Sequence, residues 1–351
     1  MNKRTFLKSL GFGLGSLGLS SNLAASVAID YSTQIKSLIK AKVLKEGDTI
    51  GLITPAGALS EEETITVAKE VLAYLGFKVK EGKYIRSRYG NLAGTDQERL
   101  SDLHEMFADK QVDGILCIRG GNGASRLLPY IDYNLIRSNP KVLLGYSDIT
   151  ALILAFYAKA GLVSFHGVVG SSTWSNYVVK LFKDQFFDNK MSIYENPSKA
   201  ENLIVQYKDR IQTITPGIAE GTILGGNLTL LTGLCGSPYL PDFKDAILFV
   251  EEIDEKSDRM DRMFCQLMNS GILSQIKGFI LGKCTNCGPS GGYGSLTLDQ
   301  MLHDYIKPLG IPAYSGAMIG HISDQFLMPV GVRARMNAST GTIEYLEKSL
   351  V

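Results

Sequence analysis

The chain has 351 residues, 45% of them hydrophobic and 20% charged, with 36 Lys and Arg against 35 Asp and Glu for a net charge of +1. This composition describes a globular protein with ample core, and the length suits two domains. A near-neutral balance without a basic stripe argues against a nucleic-acid partner, and no apolar run approaches the roughly 18 residues of a membrane span.

At the N-terminus, Lys3-Arg4-Thr5-Phe6-Leu7-Lys8 precedes a glycine-rich apolar run from Leu10 to Leu19, then the small residues Ala24-Ala25-Ser26-Val27-Ala28. A basic segment, a short apolar segment and small residues in that order predict an export signal over 1–28. Lys-Arg followed by Phe-Leu-Lys resembles a twin-arginine signal with lysine in place of the first arginine. The expected location is periplasmic, or cytoplasmic if the signal is not used.

From Asp48 onward strands and helices alternate. Strands are predicted at Thr49 to Thr54, Lys78 to Glu81, Gly114 to Ile118 and Val142 to Leu144, with helices at Glu61 to Leu75, Asp96 to Ala108 and Asp148 to Ala160. Such alternation makes a parallel sheet covered on both faces, and ligands on these sheets bind beyond the carboxyl ends of the strands. Three of those ends are unusual: Thr54-Pro55-Ala56-Gly57, Arg119-Gly120-Gly121-Asn122-Gly123 and Gly145-Tyr146-Ser147-Asp148. They are expected to converge on one rim. This N-terminal domain spans 45–188. A polar stretch at 189–215 reads as a linker, and a second domain over 216–351 carries the apolar run Ala246 to Val250, a helix from Asp258 to Ser270 and many short strands and turns. Cys284-Thr285-Asn286-Cys287 has redox or metal spacing, but no second pair accompanies it, so loop residues or an opportunistic disulfide account for it better.

Gly145-Tyr146-Ser147-Asp148 closes a strand and opens a helix, which is how a fold exposes a serine nucleophile. The same residues also make an ordinary helix N-cap, and Ile149 stands where a Gly-x-Ser-x-Gly pattern has its second glycine. Catalysis therefore needs partners. Of the four histidines, His104 and His303 sit within helices, His166 follows a strand and precedes Gly167, and His321 ends an apolar run beside Gly320. His321 is the best-placed base. Glu251-Glu252 ends the strand after Val250 and offers an orienting acid; adjacent strand residues point to opposite faces, which argues against two carboxylates flanking one glycosidic bond. Backbone N–H groups of Gly120-Gly121, joined by that of Asp148, offer an anion site. The loop lacks the Lys-Ser/Thr of a P-loop.

In this order and spacing, these segments, with Phe165-His166-Gly167, Gly225-Gly226-Asn227, Glu251-Glu252 with Asp261-Arg262, and Gly320-His321, resemble the LD-carboxypeptidases, a serine peptidase family that includes the microcin-immunity peptidases. The resemblance runs from about Asp48 to Asn337. It implies a parallel-sheet, Rossmann-like N-terminal domain, a smaller mixed, strand-rich C-terminal domain and an active site in the cleft between them. It further implies a triad of Ser147, Glu251 and His321, an oxyanion hole from the amides of Gly120, Gly121 and Asp148, and substrate contacts from Arg119, Asn122 and His166. The implied reaction releases terminal D-alanine from a peptidoglycan-derived tetrapeptide, with no metal or organic cofactor, in an enzyme that is commonly a homodimer. Two alternatives stand beside it. One is a microcin-type peptidase cleaving peptidyl- or aminoacyl-nucleotide conjugates, for which Trp174 offers a stacking surface; the other is a non-catalytic exported binding protein.

Overall fold

A computed structural model of the protein describes residues 37–197, 205–206, 208–289 and 294–351. The expected export signal over 1–28 lies outside them. The N-terminal half builds β1 (Thr49–Ile53), α1 (Glu63–Tyr74), β2 (Lys78–Glu81), α2 (Asp96–Ala108), β3 (Gly114–Cys117), α3 (Tyr133–Ser138), β4 (Val142–Gly145), α4 (Thr150–Ala155), β5 (Ser164–His166) and α5 (Asn176–Phe182). Strands β3 and β4 are buried at every residue, as a sheet covered on both faces requires. Helix α1 buries Ile65, Ala68 and Leu72, one face at helical spacing. Helix α2 starts on a capping box in which Thr95 accepts from the Glu98 amide and the Glu98 side chain reaches back.

The first sheet runs, in strand order, β2-β1-β3-β4-β5, all parallel. Strand order reverses between β1 and β3, the place where open α/β sheets bind ligands. The second sheet draws on β6 (Ile193–Tyr194), β7 (Gln212–Thr215), β8 (Ile218–Asn227), β9 (Ala246–Ile253), β10 (Gly278–Thr285) and β11 (Ala313–Ser315), with α6 (Leu228–Gly233), α7 (Ser257–Asn269) and α8 (Leu298–Met301) between them. Strands β8 to β11 are parallel; β7 closes one edge antiparallel, and β13 (Arg333–Asn337), β14 (Thr342–Tyr345) and β6 extend the other.

Three details differ from the sequence reading. The stretch read as a linker over 189–215 contributes both edge strands, β6 and β7, to the second sheet. Strand β9 continues through Glu251 and Glu252, so the two carboxylates stand inside a strand and face opposite ways. The C-terminal half also returns to the first sheet: β12 (Met328–Val330) pairs antiparallel with β5. The chain end follows it, with Val43 N–H donating to Val351 O at 3.0 Å and Val351 N–H to Ala41 O at 2.9 Å.

Candidate active site

The loops after β1, β3 and β4 meet on one rim. Gly57 N–H donates to Gly120 O at 3.1 Å, which locks the first two together. The guanidinium of Arg99, buried on α2, reaches both: Nη1 donates to Pro55 O at 2.6 Å and to Gly123 O at 2.9 Å, while Nη2 pairs with Asp96 at 2.5 Å. The third loop joins through Asp148, whose carboxylate accepts the Ala124 N–H at 2.7 Å.

Ser147 sits at the sharpest point of this rim, with φ 61°. A left-handed serine costs about 1–2 kcal/mol, and such strain persists where surrounding structure enforces it. Beyond it, a single 3₁₀ turn at Ser147–Ile149 leads into α4. Gly120 lies directly over the serine: a methyl group there would stand 2.8 Å from Ser147 Cβ, 3.0 Å from its Oγ and 3.1 Å from the Asp148 amide nitrogen. The loop therefore needs glycine to approach so closely. Neither the Gly120 nor the Gly121 N–H donates to another described residue.

His321 arrives from the second half of the chain, on the loop between β11 and β12. Its Nδ1 lies 2.8 Å from Glu251 Oε2. Glu251 is fully buried. Burial alone would push its carboxyl up; the imidazoles of His166 and His321 more than offset this and hold it at about 2. An ionised carboxylate can only accept, so Nδ1 carries the hydrogen and Nε2 is left as the basic nitrogen. Gly320, at φ 117°, permits the approach, because a side chain there would meet Glu251 Oε2 at 2.7 Å. Thr285 Oγ donates to His321 O at 3.0 Å, and the Tyr146 ring packs 4.6 Å from the imidazole. No hydrogen bond joins Ser147 Oγ to His321 among the described residues; serine–histidine bonds of this kind commonly close only around substrate.

Glu252 faces the other way. It accepts from Asn227 Nδ2 at 2.9 Å and from both the amide and hydroxyl of Thr229 at 2.8 Å, anchoring the start of α6. Its role is structural.

Ser147 and His321 open onto a cavity of about 430 Å³, also walled by Arg119, Gly120, Gly121, Tyr146 and Asp254. Arg119 is the one cation among the described lining residues; its Nη1 donates to Ala58 O at 2.8 Å. Two expected substrate contacts fall elsewhere. His166 is fully buried on β5, behind Glu251, and does not reach the cavity wall. Asn122 is exposed and outside the lining. Trp174 packs on Phe182 and donates to Val169 O at 3.2 Å, so it belongs to the core edge. Cys284 and Cys287 are free thiols, the first on β10 opposite Glu252.

Sequence reasoning overlooked Arg99, Tyr146 and Thr285. Arg99 had a signal, since it falls at helical spacing from Leu103, Met106 and Phe107 on the buried face of α2. Tyr146 and Thr285 had none, because their contacts depend on how the two sheets meet.

This geometry coincides with the family comparison. The model of the LD-carboxypeptidase N-terminal domain matches residues 50–167 and that of the C-terminal domain matches residues 220–336. The chain belongs to the LD-carboxypeptidase family, a family of peptidases. Among individual proteins, it is 39% identical over 308 residues to a probable murein peptide carboxypeptidase of Bacillus subtilis, covering 86% of this chain and 93% of that one. The solved structure of the microcin C7 self-immunity protein MccF, known from Escherichia coli, superposes with a TM-score of 0.81 at 27% identity, covering 89% of this chain and 100% of that one. A muramoyltetrapeptide carboxypeptidase from Oxalobacter formigenes gives 0.70 at 30% identity, covering 85% and 97%.

Proposed function

We propose that the protein is a serine-type LD-carboxypeptidase that releases terminal D-alanine from peptidoglycan tetrapeptides. The observation that carries this reading is one cavity onto which a strained Ser147, two unpaired glycine amides and a carboxylate-oriented His321 all open. His321 Nε2 takes the Ser147 hydroxyl proton as Oγ attacks the scissile carbonyl carbon. Negative charge moves to the carbonyl oxygen, where the amides of Gly120, Gly121 and Asp148 receive it; one such donor is typically worth about 10²–10³ in turnover. The imidazolium then gives its proton to the departing amine nitrogen of D-alanine. Water, activated by the same nitrogen, cleaves the ester on Ser147. Throughout, Glu251 keeps the Nδ1–H tautomer and stabilises the transient positive charge.

An exopeptidase that removes one residue must hold a free carboxylate close to its nucleophile. Arg119 fits that task, since a guanidinium can grip a carboxylate through two parallel hydrogen bonds. The nucleotide-conjugate reading draws less support, because Tyr146 is the one Phe, Tyr or Trp among the described lining residues and Trp174 is not among them. The test is mass spectrometry of full-length protein with L-Ala-D-Glu-meso-diaminopimelyl-D-Ala, the same peptide as its C-terminal amide, and an aminoacyl-adenylate analogue. Alanine released from the free acid, with the amide a much poorer substrate, supports the reading. Cleavage confined to the nucleotide conjugate overturns it. We further propose export through the 1–28 signal; a periplasmic fraction holding protein with residues 1–28 removed would support this, and an intact N-terminus in the cytosol would refute it.

A further inference from the structure

Two buried polar atoms face each other unpaired in the middle of the molecule. Glu251 uses Oε2 for His321, yet its Oε1 has no hydrogen-bond partner among the described residues, and neither has either ring nitrogen of His166. The two are neighbours: His166 Nε2 lies 3.6 Å from Glu251 Oε1, with the side chains 1% and 0% exposed. At that distance the contact is not yet a hydrogen bond, and a shift of about 0.7 Å makes it one. The gap is also too short for a water to stand between them. Around the imidazole are the Phe249 ring at 5.4 Å and the Tyr146 ring at 6.0 Å, and among the described residues its one carboxylate contact is Glu251 Oε1.

We propose that His166 is a positioning residue for the His321–Glu251 pair, donating from Nε2–H to the carboxylate oxygen that His321 leaves free. The tautomer follows from elimination. A bare Nε2 would set one buried lone pair against another, whereas a hydrogen on Nδ1 would bury a donor that meets no acceptor among the described residues. Neutral His166 with Nε2–H satisfies Oε1 and adds no second charge. Glu251 is then gripped at both oxygens, which fixes its rotamer and keeps its charge available to His321. The titratable groups about this centre are Tyr146 on the turn after β4, Glu251 on β9, Cys284 on β10 and His321 on the loop after β11. Glu252 turns to the opposite face of β9.

The kinetic arm rests on the proposed D-alanine release, while a second arm does not. Histidine labelled with ¹⁵N in the wild-type protein reports the tautomer directly by NMR; the expected result is a protonated Nε2 and an unprotonated Nδ1 at His166. In turnover of the tetrapeptide, His166→Leu is expected to lower kcat by about 10–100-fold, as loss of an orienting partner typically does, with KM changed by less than about twofold. His166→Gln, which carries an amide N–H near the same place, should recover most of the rate. A protonated Nδ1 at His166, a His166→Leu enzyme with wild-type kcat, or a Gln variant as impaired as Leu at equal thermal stability would each overturn the proposal. Failure of the wild-type protein to release alanine would overturn the proposed function and leave the NMR result to decide the role of His166.

Discussion

At φ 61° Ser147 occupies a backbone conformation that glycine adopts without cost and serine does not. Among the described residues its hydroxyl forms no hydrogen bond that would compensate. Ser147→Gly is therefore expected to raise stability by about 1 kcal/mol in a urea melt while abolishing peptide release; a destabilised variant would mean that the side chain has a structural task. Gly120 gives the converse case. Its Cβ would stand 2.8 Å from Ser147 Cβ and 3.1 Å from the Asp148 nitrogen, so Gly120→Ala should fill the anion site. Turnover should fall by about 10²-fold or more in a protein that still folds, and near-normal kcat would remove Gly120 from the site. Serine, glycine pair and histidine were legible because each follows an apolar run that breaks at a glycine within two residues of it. His166 was not: sequence placed it correctly at a strand end, but its burial behind Glu251 arises only when β5 of one sheet faces β9 of the other.

Three loops from three strands form the rim, and α2 holds two of them from behind. Arg99 bonds to Pro55 O and Gly123 O, and the Arg99 guanidinium is fully buried. Truncating it leaves the buried Pro55 carbonyl without its donor, whereas Gly123 O still accepts the Arg126 N–H at 3.2 Å, and separates Asp96 from one of its two cations. Arg99→Ala should cost about 1–3 kcal/mol in stability, measured by denaturant unfolding, and should impair turnover at temperatures where the protein stays folded. A loss below 1 kcal/mol would show that water replaces the guanidinium easily. The β/α alternation that places these loops was readable from hydrophobic period alone. Strands β6 and β7 were not. β7, Gln212–Thr215, has no buried residue and β6 has only Tyr194, and an edge strand without a buried face carries no periodic signal.

At the scale of the whole molecule, Glu251 and His321 come from the half of the chain that does not hold Ser147. The structure ties the halves covalently and by pairing: β12 closes the edge of the first sheet next to β5, and Val351 bonds to Ala41 and Val43. Asn189 adds a donor to Leu350 O at 2.9 Å. Unfolding one half would strip an edge strand from the other. Calorimetry is thus expected to give one transition with equal calorimetric and van't Hoff enthalpies, and two resolved peaks would contradict that coupling. This return of the chain was invisible in the sequence, where Met328-Pro329-Val330 reads as one more short apolar segment in a strand-rich tail.

A Ser147 that carries the acyl group can be caught in the act by rapid quench. Wild-type protein mixed with the tetrapeptide, acid-quenched and digested, should yield a peptide containing Ser147 with the tripeptidyl acyl group attached, and Ser147→Ala should yield neither the adduct nor free alanine. Alanine release by Ser147→Ala at the wild-type rate would show that Ser147 is not the nucleophile.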